Sequence, residues 1–172
     1  MSKNFIPTIN ISSLIENNFE NQNSFKTIKE IEKACVNVGF FQITGHGINQ
    51  KEIKKTCEVA NKFFNLPDST KRRLAPKKWN KKNKNLYRGY FPNDVNVKEG
   101  LDIADLKVTK KYSSNLKNQY IEFINLGMCF NKSSIKILNK YFDNIYRLSE
   151  ILFKSLIKLT IYLLYKFFVL WF

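Results

Sequence analysis

The chain has 172 residues, 44% hydrophobic and 15% aromatic, enough to bury one ordinary core. Its 29 basic and 14 acidic side chains leave a net charge of +15, and a single histidine excludes any metal centre that needs two imidazoles from this chain. Three cysteines, Cys35, Cys57 and Cys129, are odd in number and lack CxxC spacing, which argues against a disulfide framework or a zinc site and for a reducing, cytoplasmic setting.

The N-terminus carries no long apolar run behind its charge, so no signal peptide is expected. Phe5, Ile9 and Ile11 share one side of an extended segment, with Pro7 at an edge or a strand start. Ser24 is read as opening a helix near 25–38, in which Ile28, Ile31, Cys35 and Val38 recur at helical spacing, and Gly39 is its stop. The segment Gly39-Phe-Phe-Gln-Ile-Thr-Gly-His-Gly-Ile48 then reads as a buried strand over 40–44 that breaks sharply into a helix. Gly45 and Gly47 permit backbone angles that side chains resist, so the chain turns tightly at His46. Asn49 and Glu52 form a capping-box pattern, and Ile48 can staple onto Ile53. Over the following helix, 50–64, Ile53, Cys57, Ala60 and Phe64 form an apolar stripe, and both helical stripes are read as core.

Lys71 to Lys84 is densely basic around Trp79, a combination that could track phosphates and stack a base. Like charges this dense stay in water, however, and the stretch is read as a solvated loop. The excess of Lys, Asn, Ile and Phe points to compositional drift, so neither nucleic acid nor membrane is an expected partner. In the last third, Glu150, Lys154, Lys158 and Lys166 fall at steps of four or eight and leave Ile151, Leu152, Leu156, Leu159 and Leu163 on a broad apolar face of a helix over 134–166. Lysines interrupt this stretch short of the ~20 apolar residues a membrane span needs.

Four stretches in order carry a resemblance. Phe5-Ile-Pro-Thr-Ile-Asn-Ile-Ser-Ser-Leu14 is similar to an "IPxIDxSxL" strand, and the 39–48 segment to "GFF…v…HGI". Phe63-Phe-Asn-Leu-Pro67 is similar to "FFxLP", and Tyr87-Arg-Gly-Tyr-Phe-Pro92 with Val97-Lys-Glu-Gly-Leu-Asp-Ile-Ala104 to "RGYxP…KExFDIG". Together they resemble the N-terminal region of non-haem Fe(II), 2-oxoglutarate-dependent dioxygenases, the isopenicillin N synthase-like family.

The resemblance implies an α+β fold: the N-terminal helix-and-short-sheet region of a jelly-roll oxygenase, with the barrel itself missing. Residues 1–112 would be the dioxygenase N-terminal domain, and 113–172 a long supporting helix with an apolar, truncated or frame-shifted end. Fe(II) and 2-oxoglutarate are implied for full-length relatives, whose iron-binding His-x-Asp…His set and arginine-serine pair have no match here. His46 falls in the "HGI" element and is expected to be structural, so no cofactor, metal or catalytic residue is assigned to this chain. The chain is expected to be inactive alone, its missing partner being the barrel. Arg88, Tyr90 and Lys98 are the candidate contacts for a small-molecule substrate, since the corresponding stretch borders the barrel mouth in relatives. An arginine suits a carboxylate through its planar fork. In the competing reading, Arg88 pairs with Glu99 or Asp102 and Tyr90 simply packs. The alternative function is a non-catalytic binding module whose basic surface holds an anionic partner or a membrane. Without a barrel, Leu156, Leu159, Leu163, Phe167 and Phe168 would lie exposed, and self-association is expected.

Overall fold

The computed structural model describes residues 6–16, 21–94, 98–103 and 125–169, the side chains at 159 and 161–169 excepted. Two compact units result, one from Met1–Asn49 with Asn144–Phe172, the other from Gln50–Asp143. The domain boundary expected at 112/113 lies outside the described residues, as do Phe5, Val97 and Ala104.

In the first unit, β1 (Thr8–Asn10) is followed by the short helix α1 (Ser12–Glu16), α2 (Gln22–Asn37) and β2 (Gln42–Thr44). β1 and β2 pair in parallel with Ile9 opposite Ile43, so the two expected strands do lie side by side. Pro7, which has no N–H to give, stands just before β1, and its carbonyl accepts from the Gln42 N–H at 2.8 Å. Asn21 caps α2, its Oδ1 accepting from the Ser24 N–H at 2.8 Å. Ser24 therefore sits inside the first turn instead of opening the helix. It is buried, and its hydroxyl donates to the Ser13 carbonyl.

The buried stripe of α2 is Ser24, Thr27, Ile28, Ile31 and Ala34, packed in a unit whose core also takes Ile9, Ile11 and Leu14. Cys35 and Val38, expected on that stripe, are exposed. Cys35 lies about 100° around the helix from Ala34, and the small alanine occupies the inward position. The reading of residues 40–44 as a buried strand is also corrected: Phe40 is 73% exposed, and Phe41 and Ile43 are half-buried. A three-residue, two-stranded ladder is too small to be covered on both faces. At Gly45 (φ +66°) a Cβ would stand 2.3 Å from Asn10 Oδ1, so the tight turn before His46 requires glycine.

The second unit contains α3 (Gln50–Phe64), α4 (Asp68–Lys71), a 3-10 turn (Arg72–Leu74), β3 (Gly89–Phe91) and β4 (Gly100–Asp102). β3 and β4 pair antiparallel with Tyr90 opposite Leu101. A second 3-10 turn (Leu126–Met128) precedes α5 (Lys132–Val169), which supplies residues to both units and begins at Asn131, whose Oδ1 accepts from the Ser134 N–H. The core of this unit is Val59, Phe63, Leu74, Ala75, Tyr90, Leu126, Phe130 and Leu138. Phe63 is its hub, stacked on Phe130 at 5.1 Å and meeting Tyr90 edge-on at 5.8 Å.

The inward face of α3 is thus set by Val59 and Phe63, and the expected stripe is corrected: Cys57 is exposed, while Ile53, Ala60 and Phe64 are half-buried. Both stripes are apolar at helical spacing and each ends on a phenylalanine; Phe63 is the one that turns inward, where Phe130 and Tyr90 meet its ring. α5 carries the long helix expected in the last third. Along it Ile151 and Leu152 are half-buried and Phe153, Leu156 and Ile157 exposed, whereas the side chains of Leu159, Leu163, Phe167 and Phe168 lie outside the described residues. The four strands form two separate two-stranded sheets, and the described residues contain no closed barrel. No described helix is long and apolar enough to cross a membrane.

Candidate functional site

Lys71 begins the basic run, yet it is only 7% exposed. It closes the short helix α4, which starts just after Pro67, and its Nζ donates to the Phe64 carbonyl at 3.1 Å and to Glu99 Oε2 at 2.5 Å. Burying an ammonium is costly unless it is paired and hydrogen-bonded, and both conditions are met. The same Glu99 oxygen lies 2.5 Å from the Tyr90 hydroxyl, which also reaches Asp68 Oδ1 at 3.1 Å. One phenolic proton is therefore held between two carboxylates. Arg72 completes the array, its Nε donating to Asp68 at 2.5 Å and its fork gripping Asp94 at 2.7 and 3.0 Å.

These contacts shift titrations in consistent directions. The ammonium of Lys71 and then the Tyr90 hydroxyl hold Glu99 below the usual carboxylate range. Arg72 does the same for Asp68. Burial, followed by Glu99 and Asp68, pushes Tyr90 well above the ordinary phenol. Burial also raises the Cys129 thiol. The array thus joins three carboxylates, Glu99, Asp68 and Asp94, to two cations and one buried phenol, a hydrogen-bonded strut with no group poised for proton transfer.

The three sequence-predicted contact residues separate here. Tyr90 is 1% exposed, with its ring in the core and its hydroxyl inside the array. Arg88 is half-buried and donates to Asp102 at 3.3 Å, across the β3–β4 pair. Lys98 is exposed. The bland alternative for Arg88, a pair with Asp102, is thus present in the structure.

The basic run is corrected in its first residues, since Lys71 and Arg72 are structural partners of carboxylates and not solvated charge. Beyond them, alternate asparagines fasten the loop. Asn80 Nδ2 donates to the Arg72 carbonyl, Asn83 Nδ2 to those of Arg73 and Ala75, and Asn85 Nδ2 to those of Leu74 and Arg88. Lys77, Lys78, Lys81, Lys82 and Lys84 stay exposed between them. Trp79 is half-buried, edge-on to Phe91 at 5.7 Å, with the Lys78 ammonium 4.7 Å from its ring centre. The reading from sequence missed both the array and the clasp. A lysine closing a helix that opens on Asp68, and asparagines at regular steps among lysines, were the available signals.

His46 Nδ1 accepts the Ile48 N–H at 3.1 Å, which ties the imidazole to its own turn. Among the described residues no three His, Cys, Asp or Glu side chains converge as a metal-binding group. With one histidine in its sequence, the chain cannot by itself supply the two imidazoles of an Fe(II) centre built on two histidines and a carboxylate.

The sequence profile described as non-haem dioxygenase in morphine synthesis, N-terminal, matches residues 6–134. The chain belongs to this family. Among relatives of this dioxygenase N-terminal domain, a probable iron/ascorbate oxidoreductase of Dictyostelium discoideum is 38% identical over 100 residues, covering 56% of this chain and 25% of the relative. A 2-oxoglutarate-dependent dioxygenase of Didymella fabae is 34% identical over 104 residues, 60% of this chain and 29% of its own length. A homoarginine-6-hydroxylase of Arabidopsis thaliana is 31% identical over 103 residues, 56% and 29% of the two chains. This chain thus spans under a third of these relatives. The crystal structure of the rice dioxygenase for auxin oxidation shares the fold, with a TM-score of 0.60 at 17% identity, over 88% of this chain and 44% of that one.

Proposed function

We propose that this chain is the N-terminal part of a 2-oxoglutarate/Fe(II)-dependent oxidoreductase and is inactive as it stands. The observation that carries the reading is the family match over residues 6–134 in a chain that holds one histidine. When bound, iron would supply oxygen activation, and in this reading a jelly-roll barrel holds the iron and 2-oxoglutarate. The work of this chain's residues is scaffolding: the Lys71–Glu99–Tyr90–Asp68–Arg72 array fixes α4 and the Arg72–Leu74 turn against β3. Arg88 and Lys98 are the residues proposed to border a small carboxylate-bearing substrate, Arg88 exchanging its pair with Asp102 for the ligand. Tyr90 serves that edge from beneath. The three free thiols support a reducing, cytoplasmic setting.

The experiment is turnover by the purified chain with added Fe(II) and 2-oxoglutarate. No succinate above the protein-free control is expected. Iron-dependent succinate that disappears in His46→Ala would overturn the reading.

A second reading, a binding module for an anionic partner, is favoured by one observation: five exposed lysines on a loop held by asparagines. Retention on an immobilised polyanion that falls steeply with salt tests it.

A further inference from the structure

Asn83 and Asn85 do more than order the basic loop. They line a cavity of about 300 Å³ together with Arg73, Lys82, Lys84 and Asn125. No carboxylate among the described residues lines it, and Leu74 and Met128 supply the apolar remainder. None of the three cations has a carboxylate partner among the described residues. That differs from Lys71 and Arg72 immediately before them, each of which is matched to acids.

The walls are fixed before any ligand arrives. The Asn83 amide spans the Arg73 and Ala75 carbonyls at 2.8 and 2.6 Å, and the Asn85 amide holds the Arg88 carbonyl at 2.5 Å. Asn125 Oδ1 accepts the Gly127 N–H at 3.2 Å. Pre-set walls lower the ordering cost of binding. The volume is roughly ten times the ~30 Å³ share of one liquid water, which suits a ligand of about ten heavy atoms.

From this cavity we infer a binding site for a compact multivalent anion, a phosphate-bearing or polycarboxylate small molecule, held by Arg73, Lys82 and Lys84. A nucleic-acid strand fits less well. Trp79, the aromatic side chain of the basic run, has Phe91 at its edge and the Lys78 ammonium on its ring, so it is not presented for base stacking. The site gives the binding-module reading a definite ligand and is independent of the oxygenase reading.

Calorimetric titration of the full chain at low salt, with pyrophosphate in one arm and citrate in the other, tests it. Saturable one-to-one binding is expected in at least one arm, the tighter arm naming the anion's source. Removing a charge-assisted contact should weaken it about tenfold for each of Arg73→Gln, Lys82→Gln and Lys84→Gln, with Lys82→Arg retaining binding. Lys26→Gln, outside the cavity, should bind like the parent. No saturable binding in either arm, or equal weakening by Lys26→Gln, overturns the proposal. If polyanion retention persists in that case, the cavity fails while the broader binding-module reading stands.

Discussion

Glu99 shows how one side chain serves two buried neighbours at once. Replacing it with Gln leaves the Lys71 ammonium, 7% exposed, without its counter-charge, and should cost about 2 kcal/mol or more in chemical denaturation. The same residue sets an acid limb. Its folded pKa is depressed, so its contribution is complete above the unfolded value near 4.5 and is lost as pH falls through the lower folded value. Unfolding free energy should therefore fall below pH 4.5, and less steeply in Glu99→Gln. Tyr90 has the opposite sign: its raised pKa makes its contribution complete below pH 10 and lost at more alkaline pH. Tyr90→Phe should flatten that alkaline limb, and an unchanged limb would show that the hydroxyl is not held between the carboxylates. The sequence offered Arg88, Tyr90 and Lys98 as candidate substrate contacts, but it could not show which would be sealed inside. That depends on Glu99 and Asp68 reaching Tyr90 from 9 and 22 residues away.

Among the elements, strands 8–10 and 42–44 and the three long helices were legible, because apolar periodicity and glycines are local signals. The Gly45 turn, the stop at Gly39 and the break before Pro67 are written in single residues. On α2 the inward Ile28 and Ile31 were legible too, but not the end of that stripe or the face of α3, since Ala34 outranks Cys35 and Val59 outranks Cys57 only once the packing partners are known. The Asn80, Asn83 and Asn85 clasp was hidden for another reason: its acceptors are backbone carbonyls, which no side-chain pattern displays. Gly89→Ala tests how closely β3 approaches the preceding turn. At φ +114° its Cβ would stand 1.9 Å from the Leu74 carbonyl oxygen, so a loss of at least about 3 kcal/mol is expected in thermal or denaturant unfolding. Asn83→Ala should cost about 1–2 kcal/mol, read the same way. A neutral Gly89→Ala would mean that β3 stands clear of Leu74.

For the molecule as a whole, self-association is the expected solution behaviour. Phe40 and Phe153 are mostly exposed, and Val36, Leu156 and Ile157 add apolar surface. Light scattering behind size exclusion, with reductant to keep Cys35 and Cys57 from cross-linking, should give a mass above 20.3 kDa that falls in Phe153→Glu. A monomer at high concentration would refute this expectation.

The division of the chain also has a temporal consequence. One unit is continuous, Gln50–Asp143, whereas the other is assembled from Met1–Asn49 and Asn144–Phe172. On a ribosome the continuous stretch emerges while the flanking unit still waits for its last segment, so Phe63 can find Phe130 before Leu148 has emerged. The earlier-made residues, Ile9 and Ile31 among them, must meanwhile hold their apolar faces without their final companions. The cell's quality-control machinery would therefore meet this protein first through its N-terminal strands, during the interval in which the middle of the chain is already folded and its ends are not.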